Sequence, residues 1–252
     1  MAVESLSMSR AFCCLLLIGA LSGAQPRLSL RTRPADEFQT PDGVVRITAI
    51  HHASAMLEAP GQVIDIDPTA EGNYTGLPPA DLILITHTHG DHMDPQGLAK
   101  VRKSSTVVIG PEAVARSIEN VTVLRNGKSR QVGPWKIEAI AAYNLERGPA
   151  PGKLYHDKGS GNGYVITYGG KRFYFSGDTE AVPEMKALKN IEAAYICMNL
   201  PYTMPPEEAA AAVRVFKPRV AIPYHYRGSD LSVFQKALAG SGVEVRLRDW
   251  YY

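Results

Sequence analysis

The chain has 252 residues, with 27 Lys and Arg against 25 Asp and Glu and a formal net charge of +2. Hydrophobic residues make up 45% and charged residues 21%, a balance typical of a folded globular protein that excludes a disordered, collagen-like or coiled-coil chain. Because phosphate binding needs a clustered excess of Lys and Arg, the near-neutral charge argues against nucleic acid as a partner and favours a small-molecule substrate.

The first 24 residues have the pattern of a secretory signal peptide. A single base, Arg10, precedes the apolar run from Ala11 to Ala20, and the small residues Ser22 and Ala24 follow it. The run is shorter than the roughly 20 apolar residues that a membrane anchor needs. We therefore expect cleavage after Ala24, a secreted or periplasmic protein, and no stable membrane anchor once the signal has been removed.

Cleavage would also change the cysteine content. It would remove Cys13 and Cys14 and leave Cys197 as the one remaining cysteine. A single thiol cannot form an intrachain disulfide, so the mature protein is not a disulfide scaffold. Because Cys197 lies in an apolar run, we expect it to be a buried core residue.

Residues 25–43 are rich in Arg and Pro and predict an irregular lead-in to a folded domain over residues 44–252. From residue 44 onwards, short alternating or β-branched segments between Gly and Pro breaks predict strands. These cover residues 44–50, 53–58, 62–67, 81–86, 106–110, 135–142, 164–168, 172–176, 193–198, 220–223 and 243–247. Helices are predicted over residues 95–102, 111–118, 181–188, 206–216 and 231–238. Strand clusters with interspersed helices and no linker predict two helix-covered sheets in one α/β domain.

The strongest chemical feature is Thr86-His-Thr-His-Gly-Asp-His92, directly after a predicted buried strand. Side chains two residues apart in an extended chain face the same side, so His87 and His89 converge. The following glycine permits a sharp reversal, after which Asp91 and His92 can present a second set of ligands. Imidazole and carboxylate donors suit Zn²⁺, with Fe or Mn also possible. The motif predicts two partial metal sites, whereas a histidine-rich surface segment would not explain its position after an apolar strand.

This segment resembles the HxHxDH signature of the metallo-β-lactamase fold superfamily. Two later motifs keep the family's order: Gly177-Asp178-Thr179 after a predicted strand, and Ile222-Pro-Tyr-His225-Tyr226 near the end of the chain. The resemblance covers residues 44–252 and implies a single-domain αββα sandwich, with two sheets face to face and helices outside. Carried over position by position, it implies that His87 and His89 bind a first metal, that Asp91, His92 and His225 bind a second, and that Asp178 bridges both.

The chain is also similar to one branch of this superfamily, the small hydrolases that resemble ascorbate-6-phosphate lactonase and N-acylphosphatidylethanolamine phospholipase D. The segment Pro201-Tyr-Thr-Met-Pro205, which leads into a predicted helix, is part of this similarity. Tyr202 and Met204 in this segment either lie near the metal face or pack beneath the helix.

The sequence departs from the family pattern at the third ligand of the first metal. The family usually supplies a His between the HxHxDH and GDT motifs, and His156 is the one histidine there. Where the usual ligand is expected, after the strand over residues 135–142, stand Tyr143 and Asn144, and an amide oxygen is a weak zinc ligand. Since catalytic zinc sites prefer three protein ligands, we expect His156 to complete the site or to act as a base that faces the substrate. The alternatives are an incomplete site and a solvent-exposed loop histidine.

The resemblance implies a metal-dependent hydrolase acting on an ester, lactone, amide or phosphodiester bond of a small molecule or lipid-like substrate. Two cations, most simply Zn²⁺, would activate a water as hydroxide. Asp91 would bind a metal and orient this nucleophile, and His156 and Asn144 are the other candidate catalytic residues. The alternative is an iron-dependent oxidoreductase or dioxygenase of the same fold, which an incomplete first site leaves open.

Overall fold

Within the described residues, the backbone forms two β-sheets of seven strands each, and the strands of each sheet follow chain order from one edge to the other. The structure is a computed structural model that describes Met1 and residues 33–252. The first sheet contains β1 (Ala35–Thr40), β2 (Gly43–His51), β3 (Ser54–Ala59), β4 (Gln62–Ile66), β5 (Ala80–Leu84), β6 (Arg102–Gly110) and β7 (Val121–Val123). The second contains β8 (Ser129–Val132), β9 (Trp135–Ala142), β10 (Gly161–Tyr168), β11 (Lys171–Phe175), β12 (Ala193–Cys197), β13 (Val220–Tyr224) and β14 (Glu244–Val245).

The two sheets share one topology. Strands β1 to β4 pair antiparallel and β4 to β7 pair parallel, and the second sheet repeats this with β8 to β11 antiparallel and β11 to β14 parallel. The helices are α1 (Pro95–Val101), α2 (Glu112–Ala115), α3 (Pro183–Lys186), α4 (Pro206–Phe216) and α5 (Leu231–Ala237). Because parallel strands end at the same sheet edge, the loops after β4, β5, β11 and β13 are positioned to contribute to one site.

The main core lies between the two sheets. Phe38 of β1 packs on Phe173 of β11 with ring centroids 5.2 Å apart. On the outer face of the first sheet, a second buried cluster joins Leu98 of α1 and Val114 of α2 to Ile83 of β5. Helices α3 to α5 lie on the second sheet. These layers confirm the single-domain αββα sandwich that the resemblance implied.

The prediction that residues 25–43 are irregular is wrong for residues 35–40, which form β1 and pair antiparallel with β2. Phe38 is the one large apolar residue of this strand, and the strand also buries Asp36. Arg246 and Arg248 hydrogen-bond this carboxylate, at 2.9 and 2.7 Å. Strands are predicted from alternating apolar residues. Because β1 buries an ion pair where a second apolar side chain would stand, its sequence lacks that alternation.

The remaining elements agree with the predictions to within a few residues at most ends. Helix α4 begins and ends at the predicted residues, and α1 begins at Pro95 behind an Asp94 cap that accepts a hydrogen bond from the Gln96 amide at 2.8 Å. The short strands β7 and β8 were not predicted. Cys197 is fully buried, as expected.

The predicted signal peptide, residues 1–24, lies outside the described residues except for Met1, as do residues 25–32 of the predicted lead-in. Export and cleavage after Ala24 therefore stay predictions. Among the helices of residues 33–252, none is both long enough and apolar enough to cross a bilayer.

Candidate metal centre

The HxHxDH motif forms the loop that leaves the carboxyl end of β5. His87 and His92 are buried within this loop, whereas His89 and Asp91 lie at its exposed side. Thr86 fixes the start of the loop because its backbone amide and its hydroxyl both donate to the carboxylate of Asp67, each at 2.7 Å. The motif thus presents its side chains from a rigid base at the junction of the two sheets.

The first cluster consists of His87, His89 and His156, whose ligand atoms all lie within 4.8 Å of one another. The Nε2 atom of His156 lies 3.2 Å from Nδ1 of His89 and 3.5 Å from Oδ2 of Asp178. The Nε2 atom of His87 is buried without a hydrogen-bond partner. A buried imidazole nitrogen without a partner, aimed at two further imidazoles, is suited to a cation.

The second cluster consists of Asp91, His92 and His225 together with Asp178. The Nε2 atoms of His92 and His225 are 3.1 Å apart, and they lie 3.3 and 3.4 Å from Oδ1 of Asp178. The Oδ2 atom of Asp91 is 3.5 Å from Nε2 of His225 and 3.8 Å from Nε2 of His92. Ligands bound at about 2.0–2.2 Å in a tetrahedral site lie roughly 3.3–3.6 Å from one another, so this donor set fits a zinc ion.

Asp178 joins the two clusters. Its Oδ1 atom faces the second cluster and has no hydrogen-bond partner, whereas its Oδ2 atom faces His156 of the first. The structure therefore brings all seven predicted ligands together. Their assignment as metal ligands stays a prediction, and the residues fit the two cations that the family pattern implies.

Asn144 lies behind His156 and does not line the cleft of the site. Its Oδ1 atom accepts hydrogen bonds from Nδ1 of His156 at 2.7 Å and from the backbone amide of the same residue at 2.8 Å. Its Nδ2 atom donates to Glu180 at 3.0 Å and to the backbone carbonyl of Tyr202 at 2.9 Å. Since Nδ1 donates, Nε2 keeps its lone pair for a metal, so the contacts of Asn144 are those of a residue that positions His156, and its catalytic role stays a prediction.

Two buried residues near the second cluster were missed in the sequence. Asp67, directly after β4, accepts a hydrogen bond from Nδ1 of His92 at 2.7 Å and so turns Nε2 towards the cluster. His52, at the end of β2, lies 3.2 Å from Asp91. Asp67 could have been found in the sequence, because it is a polar residue directly after a buried strand. His52 lies in no motif that would mark it.

Burial holds two imidazoles of the first cluster in their neutral form. It lowers the pKa of His156 to about 4, although the carboxylate of Asp178 acts in the opposite direction. Burial also lowers the pKa of His87 well below its ordinary value, and the neighbouring His92 adds to this effect. A neutral imidazole offers its lone pair at pH 7, as a metal ligand must.

The second cluster has the opposite electrostatics. Burial alone would lower the pKa of His92, but the carboxylates of Asp178 and Asp67 outweigh burial and raise it well above its ordinary value. Burial alone would raise the pKa of Asp178, but the imidazoles of His225 and His92 outweigh it and hold this pKa well below the usual range. The negative charges that retain a proton on His92 are the charges that would attract a cation in its place.

A cleft of about 430 Å³ opens beside the clusters. It is lined by His89, Gly90, Asp91, Tyr155, Asp178, Tyr202 and His225. Tyr155 and Tyr202 form one wall, with ring centroids 5.0 Å apart in an edge-to-face arrangement. Tyr202 is 45% exposed here, whereas Met204 is fully buried. The sequence left open whether Tyr202 and Met204 lie near the metal face or pack beneath the helix. Tyr202 lies at the metal face, and Met204 packs in the core.

Comparison with known proteins identifies the family and the fold. Residues 46–225 match the family model described as a beta-lactamase superfamily domain. The chain is 31% identical over 220 residues to a UPF0173 metal-dependent hydrolase of Methanopyrus kandleri, covering 81% of this chain and 95% of the relative. It is 32% identical over 221 residues to a UPF0173 metal-dependent hydrolase of Thermococcus onnurineus, covering 80% and 95%.

Solved structures agree. A crystal structure of a candidate metal-dependent hydrolase from Parabacteroides distasonis has a TM-score of 0.82 and 42% identity, covering 87% of this chain and all of that chain. The metallo hydrolase Igni18 of Ignicoccus hospitalis has a TM-score of 0.67 at 24% identity, covering 82% and 96%, and so shares the fold. The similarity to the lactonase and phospholipase D branch stays a prediction. The family match, the relatives and the sandwich show that this chain belongs to the metallo-β-lactamase superfamily.

Proposed function

We propose that the chain is a metal-dependent hydrolase, with two Zn²⁺ ions as cofactor, that cleaves an ester, lactone, amide or phosphodiester bond of a small molecule. The observation that carries the proposal is the placement of Asp178, whose two oxygens face different histidine clusters. A carboxylate shared by two donor sets is typical of a two-metal hydrolytic site. The relatives named as metal-dependent hydrolases support the same activity.

When bound, the cations would lower the pKa of a coordinated water towards neutrality and polarise the bond to be broken. The residues of the chain have separate tasks around them. Asp91 lines the cleft with a side chain that is 50% exposed, so its carboxylate can accept a hydrogen bond from water and orient it towards the substrate. His156 and Asn144 do not line the cleft, and they act by holding the first cluster in place.

The lining of the cleft offers aromatic surface to an apolar or planar part of the substrate. Tyr155 and Tyr202 form one wall, against which an apolar group can pack. Among the described residues that line the cleft, none is Lys or Arg, so the two cations alone would pair with the charge of a phosphodiester. Carbonyl substrates and phosphodiesters both stay within the proposed range.

The redox alternative rested on an incomplete first site. His156 lies 3.5 Å from Asp178 and 3.2 Å from His89, which supports a first site with three imidazoles and so favours hydrolysis. Metal analysis distinguishes the two functions, because two zinc ions per chain agree with hydrolysis. One iron ion per chain with oxygen uptake would instead support an oxidoreductase.

The N-terminal pattern supports a further part of this proposal, which is export with cleavage after Ala24. N-terminal sequencing of the protein purified from its native host tests it. A mature chain that begins at Gln25 agrees with export, and a chain that retains Met1 contradicts it.

Turnover of a substrate panel tests the hydrolase itself. The zinc-loaded full chain is assayed on lactones, carboxylic esters, amides and phosphodiesters, before and after a chelator is added. We expect turnover of at least one substrate of the panel, its loss with chelator and its recovery with Zn²⁺. A panel without turnover, together with no metal bound by the purified chain, would contradict the proposal.

A further inference from the structure

We propose that His52 and Tyr251 support the second cluster from outside and set its metal affinity by fixing the carboxylate of Asp91. The inference rests on the proposed metal-dependent function. Neither residue lies in the HxHxDH, GDT or last-His motifs. His52 and Tyr251 are 199 residues apart in the sequence and meet at one side of the site. The side chain of His52 is 8% exposed there.

Asp91 is the member of the second cluster that most needs support. Its side chain is 50% exposed, whereas those of His92, Asp178 and His225 are 0%, 4% and 1% exposed. Its distances to the two imidazoles, 3.5 and 3.8 Å, are also the longest in the cluster. A half-exposed carboxylate rotates freely unless a neighbour holds it. Within the described residues, Nε2 of His52 is the nearest side-chain donor to this carboxylate, at 3.2 Å, and it lies closer than the cluster's own imidazoles of His225 and His92.

The two contacts of His52 define the direction of its hydrogen bonds. An ionised carboxylate only accepts, so Nε2 of His52 donates to Oδ2 of Asp91. The Nδ1 atom must then accept, and the hydroxyl of Tyr251 lies 2.7 Å from it as the donor. Tyr251 thereby fixes the tautomer and the ring orientation that present a hydrogen to Asp91. Asp67 fixes the ring of His92 in a comparable way. There, Asp67 accepts a hydrogen bond from Nδ1 of His92, whereas the hydroxyl of Tyr251 donates one to Nδ1 of His52.

The backbone around His52 is built to hold this ring in position. His52 has a φ of 52°, in the left-handed region, which costs energy for a residue with a β-carbon. Its carbonyl accepts a hydrogen bond from the amide of His225 at 3.1 Å, and its amide donates to the carbonyl of Trp250 at 3.1 Å. Its ring also packs on the ring of His225, with centroids 3.9 Å apart. The conformation therefore places one side chain against two members of the second cluster.

Metal affinity of the full chain tests this role without a substrate. Stepwise Zn²⁺ binding is measured by competition with a chromophoric chelator for the wild type, His52→Ala, His52→Gln and Tyr251→Phe. We expect His52→Ala to weaken one of the two binding events by about 10- to 100-fold, the usual effect of losing an outer-shell partner, and to leave the other unchanged. His52→Gln should recover most of the loss, since its amide nitrogen can donate to Asp91. Tyr251→Phe should cost a few-fold.

The neighbouring histidine provides a matched control, because His51 contacts Glu71 at 2.8 Å and not Asp91. Its ring also packs edge-to-face on Tyr251, with centroids 5.6 Å apart, so the control variant is His51→Phe, which keeps a ring there. His51→Phe should bind both equivalents as the wild type does. Thermal unfolding of the metal-free variants shows whether the fold is retained, and Tyr251→Phe, which removes a single hydroxyl, carries the test if His52→Ala does not fold. The inference is overturned if both events weaken alike, if His52→Gln is as weak as His52→Ala, or if every variant binds as the wild type. A wild-type chain that binds no second equivalent would instead contradict the proposed function.

Discussion

The two clusters differ in the groups that hold their imidazoles. In the first, uncharged side chains do so: Asn144 accepts from Nδ1 of His156, and Thr86 lies 3.0 Å from Nδ1 of His87. In the second, the carboxylate of Asp67 accepts from Nδ1 of His92 at 2.7 Å. An acidic partner makes an imidazole a stronger base than an amide or hydroxyl does. The two clusters can therefore differ in metal affinity, although both include Asp178.

The clusters resemble each other in access. His89 of the first and Asp91 of the second both lie at the exposed side of the loop and line the cleft. The other imidazoles of both clusters are buried. The contrast between the clusters therefore lies in the groups that hold their imidazoles and not in their exposure to solvent.

The largest effect is expected from Asp178→Asn, since this change removes the one ligand that both clusters share. We expect both zinc equivalents to bind more weakly and hydrolysis to fall by more than the roughly 100-fold upper range of an outer-shell change. Metal content and kcat/KM on the best substrate measure it. The control is Asp157→Asn, which alters an exposed carboxylate beside His156 and should leave both quantities unchanged. A variant that lost a single equivalent would show that Asp178 does not bridge.

Asp67→Asn should weaken the second cluster more than the first, because Asp67 bonds His92 directly and reaches His87 of the first cluster only through Thr86. The substitution places an amide hydrogen opposite Nδ1 of His92 and removes the charge that supports it. We expect the affinity for one zinc equivalent to fall by about 10- to 100-fold, as measured by chelator competition. An equal loss at both equivalents would mean that the two sites are not tuned separately.

Asn144→Ala should act on the first cluster alone and to a similar or smaller extent. It removes the acceptor that fixes the ring of His156, so this imidazole can rotate away from His89. We expect up to about a 10- to 100-fold loss of affinity for one equivalent, while the other is retained. Asn144→Asp keeps the acceptor for His156 but sets an oxygen against the carboxylate of Glu180 and the carbonyl of Tyr202, so it should restore little of the binding.

The pH dependence of zinc binding should also separate the clusters. A proton competes with the metal wherever the pKa of the ligand exceeds the pH, and the affinity then falls about tenfold for each unit by which the pH drops. The raised pKa of His92 puts the second cluster in this regime at neutral pH, whereas burial lowers the pKa of His156 to about 4 and that of His87 well below its ordinary value, so these two imidazoles of the first cluster are free of protons there. Titrations at pH 6, 7 and 8 with a proton indicator should show proton release with one equivalent. Release of equal size with both would contradict this.

The smallest effect is expected from Tyr202→Ala, which removes one ring of the cleft wall. Its backbone carbonyl, which accepts from Asn144, remains, so metal affinity should not change. The loss of an aromatic contact worth roughly 0.5–1.5 kcal/mol should raise KM by a few-fold to tenfold with little change in kcat. Steady-state kinetics measure this, and a loss of bound zinc would show that the ring supports the first cluster.

Residues that follow one another in the chain could be predicted, and residues that meet only in the fold could not. The four ligands of the HxHxDH loop share one turn, so their spacing alone indicates a metal site. Asp178 and His225 needed the family resemblance, because a single Asp or His at a strand end has several explanations. Asp67 is 25 residues from its partner His92, and no local pattern links them.

The fold shows the same division. Most strands and all five helices were predicted, because burial of one face leaves a regular pattern. The repeated topology of the two sheets was not predicted, because different residue sequences in the two halves form strands with the same directions. At the fourth strand of each sheet, for example, Asp67 follows β4 as a hydrogen-bond partner, while Asp178 follows β11 as the bridging group.

The second cluster joins residues that lie far apart in the sequence. His92 and His225 are 133 residues apart and leave different sheets, yet their Nε2 atoms are 3.1 Å apart. A cation held by both would close a very long loop and so reduce the conformational entropy of the unfolded chain, as a disulfide does. Cys197 is free and buried, so in the described part of the chain a cation would be the cross-link between the sheets. Loss of such a cation would therefore lower the free energy of unfolding of the sandwich.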